Sequence, residues 1–130
     1  MPSRAEDWLR QASRDLQLAR EALACGIFEW AAFAAQQAAE KAVKALYQGL
    51  GGEARGHSVT QLLAALPSAA RPSEQLVETA KELDKHYIAP RYPNSYPEGA
   101  PMDFYTRAEA ERAVDGAERV IEHCKSHLFR

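Results

Sequence analysis

Cysteine is nearly missing from this chain: Cys25 and Cys124 are the only two in 130 residues. Two thiols do not make a disulfide framework, and each sits among apolar neighbours at a predicted helix end, where a reduced packing thiol belongs. The charged opening, MPSRAEDWLRQAS, lacks the apolar stretch of a secretory signal. Nowhere does a run approach the ~18 apolar residues of a membrane span. The expectation is a soluble, cytoplasmic protein with no membrane association. Charge of one sign is also scarce, since 16 Lys and Arg face 18 Asp and Glu for a net charge of −2. A wholesale electrostatic grip on nucleic acid is thereby excluded, and only a local basic patch remains open. No nucleophile motif occurs, and GLGGEARG follows a helix without the Gly-Lys-Ser/Thr ending of a phosphate loop. Of the histidines His57, His86, His123 and His127, only His123 and His127 have helical i, i+4 spacing, with no third ligand in view. Neither a metal nor a cofactor is expected.

What is present is amphipathic helix. Ala5, Leu9, Ala12, Leu16, Ala19 and Leu23 alternate spacings of four and three, which predicts one buried stripe over residues 5–23, stopped at Gly26. Residues 27–50 carry alanine nearly all round, so neighbouring helices can approach closely, and this segment is expected at the centre, ended by Gly49, Gly51 and Gly52. A short helix is predicted from Val59 to Leu66 with Ser58 and Gln61 at capping-box spacing. A fourth follows Ser73, burying Leu76, Ala80, Leu83 and Tyr87 and stopping at Pro90. The last starts at Thr106, with Glu109 at capping-box spacing, and runs to about His127. Gly116 inside it costs about 1 kcal/mol relative to Ala, which points to a close contact. No repeat, low-complexity tract, linker or strand candidate interrupts this pattern. Residues 1–130 are expected to form one all-α domain, an antiparallel four-to-five-helix up-and-down bundle.

One connection departs from the rest. APRYPNSYPEGAPMDFY joins the last two helices through roughly 15 residues, well beyond the usual 2–8, and such loops tend to be functional or disordered. Its four prolines and its aromatics favour an ordered loop. Arg91 lies where the helix gives way to it. Asp84, Tyr87 and Arg91 are spaced by three and four, so an Asp84–Arg91 pair would orient the guanidinium for phosphate, or serve only to pin the loop. Tyr92 and Tyr96 can stack on a base or offer hydroxyls. His57, just before the N-cap Ser58, is placed to help hold an anion near the free amides of the short helix, or to bond its own loop. Within the alanine-rich helix, Glu40 and Lys44 form an i, i+4 pair, either solvated or lending the lysine to an anion site. At least one of Gln36 and Gln37 should lie in a helix seam with its amide bonded.

The segments WAAFAAQQAAEKAVKALYQGLG and GHSV, followed by LDKHYIAPRYPNSYP, resemble the prokaryotic HEPN family over nearly the whole chain. The resemblance implies a homodimeric helical bundle, often partnered with a minimal nucleotidyltransferase in a toxin–antitoxin-like pair. Many members are metal-independent ribonucleases whose signature is an Arg, four to six residues, then a His. Counting from Arg91, the histidine positions hold Tyr96, Pro97 and Glu98, so the imidazole is missing. Catalytic residues are therefore left unassigned, and the reading leans toward a protein that is not an enzyme. It would bind a nucleotide or other phosphate-bearing ligand, or RNA, through Arg91, Asp84, Tyr92, Tyr96, His57 and Lys44. Tyr96 is also a candidate acceptor for nucleotide transfer by the partner. Two alternatives stay open: a ribonuclease using His57 or Tyr96 as its acid–base group, and an interaction module whose loop prolines wedge into a partner.

Overall fold

The computed structural model describes residues 3–129 and is helical throughout, with no strand among the described residues. The helices are α1 (Ala5–Ala24), α2 (Phe28–Gly49), α3 (Val59–Ala64), α4 (Glu74–Asp84), α5 (Pro101–Phe104) and α6 (Arg107–Leu128). α1, α2, α4 and α6 run alternately up and down, as an antiparallel bundle requires. The first bend is made by Gly26, whose φ of +78° lies in the left-handed region that only glycine enters cheaply.

The predicted stripes are the buried ones. Leu9, Ala12, Leu16 and Ala19 of α1 meet α2, which buries eight alanines and so lets α1 and α6 approach its backbone from both sides. Val43 and Leu46 of α2 join Leu63, Leu83 and Val120 in the main core. On α6, a Cβ at Gly116 would stand 2.8 Å from Thr79 Cγ2 of α4, so the mid-helix glycine is the close contact that its cost implied. The caps also fall where the spacing placed them. Ser58 and Ser73 accept from the amides of Gln61 and Leu76, and Thr106 and Glu109 form a reciprocal capping box.

Three boundaries differ from expectation. α3 ends at Ala64, two residues short of Leu66, because Leu66 bonds Leu63 in a tighter i→i+3 turn. α4 ends at Asp84 and is not carried to Pro90: Lys85, His86 and Tyr87 each donate to the residue three before, winding the chain more tightly. Tyr87 is consequently half-buried on a turn, not on the inner face of α4. The long connection is ordered, with a 3-10 turn over Pro93–Ser95 and the unforeseen one-turn helix α5, which Pro101 starts and Asp103 caps through the Ala100 amide at 2.9 Å.

Candidate functional site

One face of α2 supplies the floor of the site. Phe33, Gln36, Gln37, Glu40 and Lys44 recur at three- and four-residue spacings, so they stack along one side of the helix. Gln36 is fully buried and donates its amide to the backbone carbonyl of His57 at 3.0 Å, while its own oxygen accepts from Gln37 at 2.8 Å. That bond fixes the loop carrying His57 against α2. Glu40 is only 4% exposed, so the Glu40–Lys44 pair is not a solvated one. One carboxylate oxygen takes Lys44 Nζ at 3.3 Å and the other faces His57 Nδ1 at 3.2 Å. With Glu40 ionised, Nδ1 carries the proton, and Nε2 of this exposed imidazole is the basic nitrogen.

The turns after α4 supply the opposite wall. Tyr87 stacks on the His57 ring with centroids 4.6 Å apart and planes 16° from parallel. Arg91 curls back so that Nε donates to the Tyr87 carbonyl at 2.8 Å. Its guanidinium carbon lies 4.5 Å from the Phe33 ring centre, 4.8 Å from Tyr87 and 5.1 Å from Tyr92. Three ring faces thus hold a half-buried cation through its π surface, and no carboxylate among the described residues pairs with it. Such a guanidinium keeps its terminal N–H groups for a planar anion.

The expected Asp84–Arg91 pair does not form. Asp84 instead turns onto α3, accepting from Ser58 Oγ at 2.9 Å and from the amides of Val59 and Thr60 at 2.7 and 3.1 Å. The physical reason is the early end of α4, which takes Arg91 off the helical path while Asp84 stays beside the start of α3. The free amides of the short helix are already met by this carboxylate, so His57 has no anion to hold there. Lys44 reaches the cluster only through Glu40, and its ammonium lies 5.8 Å from the centre of the Trp8 ring.

This architecture has known relatives. The HEPN domain family matches residues 5–127. The chain belongs to the HEPN family. The crystal structure of TT1696 from Thermus thermophilus superposes with a TM-score of 0.95 at 47% identity, covering 98% of this chain and 100% of that one. ST0689, described as an archaeal HEPN homologue, gives 0.82 at 42% identity, covering 98% and 99%. The HEPN domain protein tm0613 from Thermotoga maritima gives 0.78 at 42%, covering 95% and 98%. At 28% identity, a protein of Methanocaldococcus jannaschii named "Putative toxin MJ1304" matches over 95% of this chain and 88% of its own length. No helix of this HEPN protein is long and apolar enough to cross a membrane among the described residues.

Of the six candidate residues, Arg91, Tyr92, His57 and Lys44 come together through Phe33, Tyr87 and Glu40. Asp84 and Tyr96 do not join them. Tyr96 stacks flat on Phe104 at 4.5 Å and 7°, and burial, with Glu109 nearby, raises its hydroxyl pKa. Its neighbours form a separate group in which buried His86 meets the Tyr105 hydroxyl at 2.7 Å. Burial lowers the His86 pKa, against opposing help from Glu109 and Glu82, and burial also pushes the Tyr105 hydroxyl far up. The 3/4 spacing from Phe33 to Lys44, which had already paired Glu40 with Lys44, was the signal that could have found Phe33. Nothing in the sequence places Tyr87 between His57 and Arg91.

Proposed function

We propose that this HEPN protein binds the phosphate of a nucleotide at Arg91, with His57 reached through the Tyr87 ring and Tyr92 available to stack on the base. The observation that supports this most is the guanidinium held between three rings with no carboxylate partner. A half-buried cation without a counter-ion is electrostatically incomplete, and a phosphate completes it bidentately. Residues 1–130 act as one HEPN domain, in the cytoplasm and as a homodimer. Exposed Trp30, packed edge-on to Phe33 at 5.9 Å, gives a second copy an aromatic rim beside the site. The toxin named among the relatives supports a toxin–antitoxin-like role, and the partner we propose for it is a minimal nucleotidyltransferase. In that pairing Tyr96 is the acceptor for nucleotide transfer. Calorimetry with a panel of nucleotides tests the site: binding that Arg91→Ala abolishes supports it, and binding that survives the change sinks it.

The His57–Glu40 contact favours a second reading, metal-independent RNA cleavage. Here His57 Nε2 takes the proton of a ribose 2′-hydroxyl, and the 2′-oxygen attacks the adjacent phosphorus. The bond to the 5′-oxygen breaks, that oxygen gains a proton from solvent, and a 2′,3′-cyclic phosphate remains. Arg91 balances the charge that builds on the phosphoryl oxygens, and buried Glu40 fixes the imidazole tautomer. Incubation of pure protein with RNA and EDTA decides it: cleavage lost in both His57→Ala and Arg91→Ala supports the enzyme, and intact RNA rejects it.

A further inference from the structure

On the other side of Lys44 an open groove of about 770 Å³ runs along α1, lined by Arg4, Asp7, Trp8, Arg10, Arg14 and Lys41 among others. Four cations face one carboxylate there, on a protein whose net charge is −2. Pairing leaves the excess in place. Lys41 is matched by Asp15 of α1, and Asp7 is shared by Arg4 at 3.1 Å and Arg10 at 4.0 Å. Arg14 is exposed and makes no ion pair among the described residues. Arg10 and Arg14 stand one helical turn apart, about 6 Å along the axis. Between these cations and the Arg91 site stands half-buried Trp8, an aromatic platform whose ring also carries Lys44.

We propose that this groove binds the phosphodiester backbone of a single-stranded nucleic acid, with Arg10 and Arg14 on consecutive phosphates and an unstacked base on Trp8. Cations at regular spacing beside a partly exposed ring are what single strands need, because every base has a π face and every linkage one negative charge. A duplex keeps its bases stacked and leaves Trp8 without a partner. A chain of side-chain contacts links the groove to the Arg91 site: Trp8 touches Lys44, Lys44 bonds Glu40, and Glu40 bonds His57. A strand lying on α1 would therefore lead toward His57 and Arg91. The proposal extends the nucleotide reading of that site and fails separately from it.

The test is fluorescence anisotropy of the full chain with a labelled oligouridylate about twelve nucleotides long, the matching DNA strand and a duplex. Single strands are expected to bind in preference to the duplex, and a preference for RNA over DNA would add a 2′-hydroxyl contact to the same backbone grip. The double variant Arg10→Glu/Arg14→Glu changes only exposed side chains, so circular dichroism should be unchanged. It should weaken single-strand binding by at least about tenfold and lower the salt slope by about 0.7 for each phosphate no longer neutralised. Its affinity for a mononucleotide should stay at the wild-type value, whereas Arg91→Ala should lose the mononucleotide and retain the α1-dependent part of strand binding. Wild-type strand affinity in the double variant overturns the proposal. So does equal competition by polyglutamate, which would make the groove a seat for an acidic polypeptide.

Discussion

Two polar clusters hold the segment between α4 and α6, and they handle charge in opposite ways. At its start, Arg91 is gripped by Phe33, Tyr87 and Tyr92 but is given no carboxylate, and His57 keeps one nitrogen for solvent. At its end, His86 Nδ1 and the Tyr105 hydroxyl bond each other, Tyr96 lies flat on Phe104, and Thr106 and Glu109 close a cap. Both clusters are rich in aromatic rings. The difference is that the second satisfies itself and the first does not. The rings stabilise the half-buried cation but leave it without a counter-ion, and on that ground the first cluster is the one we propose for a ligand.

Removing Glu40 should break the comparison most severely, because it leaves the largely buried Lys44 ammonium without its carboxylate and unties the His57 ring. Glu40→Ala is expected to cost about 3 kcal/mol in urea unfolding, in the range for breaking a buried ion pair. A loss below about 1 kcal/mol would mean that the site rests on packing alone. Arg91→Ala should do the reverse, weakening nucleotide binding by about 2 kcal/mol with little change in Tm. If the variant instead melts early and binds normally, the arginine belongs with the structural cluster. At the other end, Tyr105→Phe should cost about 1 kcal/mol of stability through the lost His86 bond and leave ligand affinity untouched.

The smallest expected effect is on pH dependence. Burial holds His86 below its ordinary value of about 6.5, so the unfolded chain binds the proton more readily. This contribution to stability is fully present above about pH 6.5 and is lost as pH falls toward the lowered folded value. His86→Gln should flatten that acid limb in denaturation curves taken between about pH 7 and pH 5. An unchanged limb would assign the effect to another group.

The helical pattern was legible because burial on a helix repeats every three or four residues. The stripe from Leu9 to Ala19, the alanines of α2 and the caps at Ser58, Ser73 and Thr106 all follow from local rules. So did the cost of Gly116, although which atom it makes room for did not. The Arg91 site was half legible: Arg91, Tyr92, His57 and Lys44 could be named as candidates and Lys44 paired with Glu40, but the partners of the other three could not.

Residue order alone specified an all-α bundle of the HEPN family, the starts of every helix but α5, and an arginine in a proline-stiffened loop. It took the packed fold to show that Asp84 caps α3, that Arg91 lies among three rings, and that Tyr96 turns to Phe104. Helix starts depend on residues three apart, which composition and spacing record. Those three outcomes depend on where α4 stops relative to Pro90, and a few i→i+3 hydrogen bonds set that by competing with helix continuation under the packing of the whole bundle.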